Sequence, residues 1–280
     1  MCTVATGVIR VMARASERAW RVVSSPGRRL PDFLIIGAQK SSTSSLYEHL
    51  INHPDIGRAK QKEIHYFDNR HHLGSAWYRS NFPLNAPRRG DERPRLCGEA
   101  TPDYIFHPAA AARAAALVPD AKCIAVLRNP IDRAHSNHQH EVAHGREPLS
   151  FTEAIDQEPE RAGADLERAR ADPAAFEQSI MHRSYLGRSR YVEQLEEWLR
   201  HYPRAQVLVL QAERLFTDPA GTMSAAWEFL GLPPGGPEAY PHANSRSYSP
   251  LDREVRARLA EYFEPYNERL FSLLGERFDW

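Results

Sequence analysis

The sequence predicts an α/β fold: a central parallel β-sheet flanked by helices on both faces, with a phosphate-loop-like turn after the first strand. Three observations carry this expectation. Short apolar runs alternate with segments of helical periodicity, the pattern of successive βα units. The strong runs are continuous rather than alternating, as parallel strands buried on both faces require. Polar, hydroxyl-rich or proline-containing turns follow these runs and open helices.

In chain order, Asp32-Phe33-Leu34-Ile35-Ile36-Gly37 is a buried strand ended by glycine. The hydroxyls of Ser41 to Ser45 suit a helix start, and Leu46, Tyr47, Leu50 and Ile51 repeat at helical spacing. Residues 96–100 read as a short strand and 107–117 as an alanine-rich helix. Residues 122–127 are the second strong strand, and Pro130 opens the helix after it. Residues 151–157 read as a short helix. The charged, alanine-rich stretch 158–172 is weakly periodic and reads as a mobile surface insertion. A helix follows over 186–201, then a strand over 206–210. A helix over 219–230 is stopped by Gly231, and the last helix covers 251–273. In such sheets ligands sit at the carboxyl ends of the strands.

Composition narrows the function classes. Of the 280 residues, 42% are hydrophobic and 26% charged, which excludes wholesale disorder and a polytopic membrane protein. The 36 basic and 36 acidic residues cancel, so nothing in the global charge argues for nucleic acid. Cys2, Cys97 and Cys123 are too few to form a disulfide framework, and the last two sit in apolar runs as buried thiols do. There is no continuous apolar run of transmembrane length and no secretory h-region, so a cytoplasmic enzyme is expected. Residues 1–30 differ from the rest: they hold six arginines against Glu17 alone. Arg10, Arg14, Arg18 and Arg21 share one helical face, a pattern suited to peripheral contact with an anionic membrane. The competing reading is an arm that packs on the domain or is disordered. The folded domain is drawn as 31–280.

Two constellations carry chemistry. After the first strand, Gly37-Ala38-Gln39-Lys40-Ser41-Ser42-Thr43-Ser44-Ser45-Leu46 combines a helix start, five hydroxyls and a lysine, the makings of an anion site. Lys40 follows Gly37 by three residues and no glycine precedes it, unlike G-x-x-x-x-G-K-[ST], which disfavours a nucleoside-triphosphate enzyme. The second strong strand ends in Leu127-Arg128-Asn129-Pro130-Ile131-Asp132-Arg133-Ala134-His135-Ser136. There Arg128 offers a fork for a phosphate and Ser136 a hydroxyl.

Together these loops resemble the PAPS-dependent sulfotransferases, whose sulfuryl donor is 3′-phosphoadenosine 5′-phosphosulfate. The first is similar to the family's 5′-phosphosulfate loop and the second to its 3′-phosphate motif, R-N/D-P-x-x-R-x-x-S. Lys62-Glu63-Ile64-His65-Tyr66-Phe67-Asp68 resembles the K-E-x-H-F-F-D stretch of the heparan-type (carbohydrate) branch. Further similarity lies in Gly98 to Tyr104, in Tyr191 to Leu199, and in Pro265-Tyr266-Asn267 and Phe278-Asp279-Trp280, so it covers about residues 31–280. The resemblance implies a sulfotransferase fold in a bacterial-type, single-domain member, PAPS as donor and 3′,5′-ADP as product.

Site roles follow from it. Cofactor binding falls to Lys40, Ser41, Ser42, Thr43, Ser44, Ser45, Arg128 and Ser136. Lys40 also stabilises the leaving oxygen, while Thr43 and Ser44 hold the 5′-phosphate. Glu63 matches the family's general base. His65, read as lying two residues along an extended segment and hence on the same face, orients Glu63 or shares its proton, with Asp68 in support. Two positions depart from the pattern. Ser42 replaces the loop glycine, and Asn244-Ser245-Arg246 stands near where the heparan-type enzymes carry Lys-Gly, so Arg246 is the candidate replacement charge. No metal is expected: His135, His138, His140 and His144 have no matching ligand motif and are read as lining the acceptor cleft or facing solvent. Trp77, Tyr78, Tyr104 and Trp198 are either stacking surfaces for a sugar or adenine, or core.

The acceptor is expected to be a hydroxyl of a carbohydrate or glycolipid-like molecule. The alternatives are a non-sugar alcohol or phenol, and a non-catalytic nucleotide-binding protein with a degenerate loop. Acceptor contacts are expected from loops around 70–95, 138–180 and 233–248.

Overall fold

The computed structural model describes residues 16–85, 96–235 and 250–280. Five strands form one sheet: β1 (Phe33–Gly37), β2 (Ile56–Arg58), β3 (Leu96–Ala100), β4 (Lys122–Leu127) and β5 (Val207–Gln211). Their order is β2-β3-β1-β4-β5, and every neighbouring pair is parallel. The four strands read from the apolar runs are present. β2 is additional; its three residues, which include Gly57, are too short to show a period.

The sheet is a partition between two cores, as the period-two geometry of a strand dictates. Leu34 and Ile36 face one side with Cys97, Cys123, Ala125 and Leu127. Phe33 and Ile35 face the other with Ile124, Val126 and Leu210. The first side is covered by α4 (Ala110–Leu117), α9 (Tyr191–His201) and the end of α12 (Arg253–Leu274). The second is covered by α2 (Thr43–Ile51) and α11 (Pro219–Leu230). A smaller third cluster packs α5 (Pro130–Ala143) and α6 (Phe151–Asp156) against α12 through Ile131, Phe151, Leu259 and Phe263.

Two expectations need correction. Residues 158–172 are helical and packed rather than a mobile insertion: a π-helical turn at Pro159–Gly163 leads into α7 (Ala164–Ala171), burying Ala162, Leu166 and Ala169. The apolar spacing is there, but two of its three members are alanines and score weakly. The buried carboxylate of Glu158 also anchors the stretch, accepting bonds from the amides of Tyr185, Leu186 and Gly187 at 2.7–2.8 Å. The helix expected over 186–201 starts only at Tyr191, after a short turn at Gly187–Ser189.

Of the basic arm, residues 1–15 lie outside the described residues. Residues 16–23 are helical and sit on the domain. Arg21 Nε donates to Ser80 O at 2.7 Å, Arg28 Nη1 to Phe82 O at 2.9 Å, and Glu17 pairs with Lys60 at 2.9 Å. No helix among the described residues is long and apolar enough to cross a membrane.

Topology positions the site. From β1 the chain runs to β2 on one side of the sheet, whereas β4 and β5 lie on the other. The turns after β1 and β4 therefore flank a crevice at the carboxyl edge, where open α/β sheets bind ligands. Gly37 closes β1 because a β-carbon there would stand 2.3 Å from Ile105 Cγ2. Without one, the turn after β3 comes close enough for Ile105 N to donate to Ile36 O at 2.8 Å.

Candidate active site

The turn after β1 is built on two residues in the left-handed region, Lys40 (φ 71) and Ser42 (φ 63). Turns with left-handed residues bring backbone N–H groups into anion-binding concavities. α2 begins directly after Ser42 with no side-chain cap, so the positive end of the helix points into this turn. Thr43 and Ser45 are buried, Ser41 is fully buried, and Ser44 is half-buried. Gln39 Oε1 is buried and has no hydrogen-bond partner among the described residues.

The turn after β4 closes over the first. Arg128 Nη1 donates to Lys40 O at 3.4 Å, and Arg128 O accepts from the Tyr191 hydroxyl at 2.9 Å. Asn129 Oδ1 caps α5, accepting from Ile131 N at 3.0 Å and Asp132 N at 3.3 Å, while Asn129 N donates to Glu213 Oε1 at 2.9 Å. Ser136 lies buried further along α5. Arg133, the second arginine of the motif, has a different job. It is wholly buried and donates through Nε to Ser189 Oγ and through Nη2 to Tyr185 O, both at 2.6 Å. Burial holds its pKa down at about 10. It ties α5 to the segment before α9.

The third part is the 62–68 segment. Lys62 Nζ donates to Ser44 Oγ and, at 3.0 Å, to Glu63 Oε1. One ammonium thus joins the anion loop to the candidate base, a link the sequence reading did not include. The extended backbone expected here is absent: Glu63 (φ 58) and His65 (φ 56) are both left-handed. The αL region costs an L-residue about 1–3 kcal/mol, and such strain clusters at functional sites. Backbone bonds hold it in place, among them Glu63 N to Ala100 O at 3.0 Å. His65 Nδ1 lies 2.7 Å from Asp68 Oδ2. Burial works against the charged imidazole, but Asp68, with smaller help from Asp103 and Glu63, raises its pKa overall.

Among the described residues, His65, Asp68 and Asp103 form the one group of three histidine, cysteine or carboxylate side chains whose polar atoms converge, within 4.8 Å of one another. Arg188 Nη2 already supplies positive charge to Asp103 at 2.5 Å. Of the α5 histidines, His138 is not a cleft residue. It is buried, its Nε2 lies 2.9 Å from Leu149 O, and it packs edge-on to Phe151 and Tyr185. His140 is on the Lys40 side: burial first, then the Lys40 charge, hold its pKa down at about 4. Tyr78, Tyr104 and Trp198 are core, whereas Trp77 is only partly buried and stacks on Tyr66 at 6.4 Å. Arg246 lies outside the described residues, as do Asn244 and Ser245.

A family model described as "Sulfotransferase domain" matches residues 30–250. The chain belongs to the sulfotransferase family. Similar curated sulfotransferases include heparan sulfate glucosamine 3-O-sulfotransferase 3B1 of Mus musculus, 29% identical over 277 residues, 90% of this chain and 65% of the relative. The chain thus spans just under two thirds of that relative's length. Heparan sulfate glucosamine 3-O-sulfotransferase 6 of Homo sapiens is 30% identical over 284 residues, covering 92% of this chain and 76% of the relative. The crystal structure of a sulfotransferase from Alicyclobacillus acidocaldarius superposes with a TM-score of 0.69 at 29% identity, covering 89% of this chain and 98% of that one. The sulfotransferase fold expected from the sequence is the one observed.

Proposed function

We propose that this sulfotransferase moves the sulfuryl group of PAPS to a hydroxyl of a carbohydrate or glycolipid-like acceptor by in-line displacement, with Glu63 as general base. The observation that carries this reading is the Lys62 ammonium, which holds the Glu63 carboxylate against Ser44 of the anion loop. A base fixed beside the donor loop is where an incoming hydroxyl has to lose its proton. The acceptor class is supported by relatives whose names specify heparan sulfate glucosamine.

The residues present fit the donor. Gln39 Oε1 is a buried acceptor with no partner among the described residues, α2 has no side-chain cap, and cations lie on both sides of the loop. When bound, PAPS supplies a sulfuryl group already activated by its phosphate leaving group. Lys40, Thr43, Ser44 and the α2 amides would hold the 5′-phosphate, and Arg128 with Ser136 the 3′-phosphate. Lys40 stabilises negative charge at the bridging oxygen, an effect worth about 3–4 kcal/mol for comparable fixed donors. Glu63 takes the acceptor proton, and Lys62 fixes the carboxylate that does so. His65, oriented by Asp68, is assigned to orient Glu63. Ser42 is the one feature favouring a degenerate loop, yet its left-handed backbone preserves the turn that a glycine would make.

The test is turnover with labelled PAPS and heparan sulfate, a neutral glycolipid and a phenol as parallel acceptors. Glu63→Gln should cut kcat by about 100-fold or more while leaving 3′,5′-ADP affinity nearly intact. Wild-type turnover by Glu63→Gln removes Glu63 as the base.

A further inference from the structure

Glu99, at the end of β3, is fully buried, and among the described residues it has no ion-pair partner. Its carboxylate instead collects three hydroxyls. Oε1 accepts from Tyr78 at 2.7 Å and Tyr104 at 3.0 Å, and Oε2 accepts from Thr101 at 2.7 Å. Burying a carboxylate with no cation beside it is costly, and burial does push this carboxyl's pKa up against the pull of the three hydroxyls. An apolar side chain would fill the space at no such cost.

What the arrangement achieves is visible one bond further out. Two of the three hydroxyls also accept, and they accept from consecutive backbone amides. His65 N donates to Thr101 Oγ1 at 3.4 Å, and Tyr66 N donates to the Tyr104 hydroxyl at 2.8 Å. The third hydroxyl belongs to Tyr78, whose ring stacks on Tyr66 at 4.4 Å. All three hydroxyls donate to the one carboxyl group, which fixes the direction of each. Both relays therefore run inward to one point, and both start in the segment where Glu63 and His65 hold left-handed backbone. Strained backbone persists only where its surroundings over-determine it. Residues 99, 101 and 104 supply that determination from the neighbouring strand end.

We infer that Glu99 is a positioning residue for the Glu63–His65 pair, acting through the Thr101 and Tyr104 hydroxyls on the backbone amides of His65 and Tyr66. The inference rests on the reading of Glu63 as base. Its first readout needs neither donor nor acceptor: the NMR titration of the His65 ring. Thr101→Val keeps the shape and removes the hydroxyl, and Thr101→Ser keeps the hydroxyl. In Thr101→Val the His65 amide loses its acceptor, the ring loosens from Asp68, and its midpoint falls toward the ordinary value of about 6.5; Thr101→Ser titrates like wild type. The second readout is release of 3′,5′-ADP from PAPS with water as acceptor. Thr101→Val should be about 10–100-fold slower, the usual result of a small misplacement, with 3′,5′-ADP affinity unchanged. The double variant with Glu63→Gln should be no slower than Glu63→Gln alone. If Thr101→Val does not fold, Tyr104→Phe severs the other relay and carries the same expectations.

A wild-type His65 titration and wild-type turnover in Thr101→Val, alongside a crippled Glu63→Gln, overturn the positioning role and leave the base in place. Losses that multiply in the double variant overturn it as well. Wild-type turnover in Glu63→Gln overturns the base, and the titration then decides separately whether Glu99 holds His65.

Discussion

Replacing Ser42 by glycine should stabilise the protein slightly, and the size follows from the backbone. Ser42 sits at φ 63, ψ 21, and its hydroxyl makes no capping bond to α2. The left-handed region costs an L-residue about 1–2 kcal/mol. Glycine removes that cost but brings back roughly 0.5–1 kcal/mol through the greater freedom of its unfolded chain. The difference favours Ser42→Gly by about 0.5–1 kcal/mol, a rise in Tm of roughly 2 °C for a chain of this size. Ser42→Ala keeps the β-carbon and the strain and loses only an uncapping hydroxyl, so it should stay within about 0.5 kcal/mol of wild type. Thermal melts of the three proteins, with urea unfolding as a check, measure both numbers. A Tm several degrees lower for Ser42→Gly would show that the serine side chain makes a stabilising contact, and the strain argument would fail.

The two arginines of the second motif should separate cleanly. Arg128→Ala should weaken 3′,5′-ADP by about 10–100-fold and leave ADP unchanged, as read by calorimetric titration; equal losses for both nucleotides refute the 3′-phosphate role. Arg133→Ala removes the bonds to Ser189 and Tyr185 from a fully buried site. It should cost about 3 kcal/mol and roughly 6–12 °C in Tm, and an unchanged Tm would contradict the structural role. The His65–Asp68 pair gives a pH dependence. Because the folded pKa of His65 is raised, its stabilisation is fully present below the unfolded value of about 6.5 and is lost as pH rises through the folded value. Wild type should therefore exceed Asp68→Asn in stability most at acid pH, and a gap that widens with rising pH contradicts the pairing.

The sheet was legible because its central strands are uninterrupted apolar runs, and the anion loop because strand, glycine and hydroxyls adjoin in sequence. Strand order was not, since Phe33 pairs with both Gly98 and Lys122 and nothing local encodes that choice. β2 escaped notice at three residues, and α7 because alanine buries well but scores weakly. In the site, the motif marks Glu63 and His65 as residues but carries no sign of their left-handed backbone. Side-chain type is a weak guide to αL outside glycine and asparagine. Lys62 reads in sequence as one more exposed charge, and its place beside Ser44 exists only after β1 and the 62–68 segment meet. The sequence of Tyr78 and Tyr104 fits either a stacking surface or core; burial makes them core, and their hydroxyls make them part of the Glu99 network.

The most direct test of the whole account is a thermal-shift titration with 3′,5′-ADP, ADP and ATP in parallel. A ligand at about 100 times its Kd adds roughly 2.7 kcal/mol to a fold that binds it. That corresponds to a shift of about 5–10 °C here. This shift is expected for 3′,5′-ADP, with ADP and ATP far behind because neither offers a 3′-phosphate to Arg128. A shift with ATP and none with 3′,5′-ADP would contradict it.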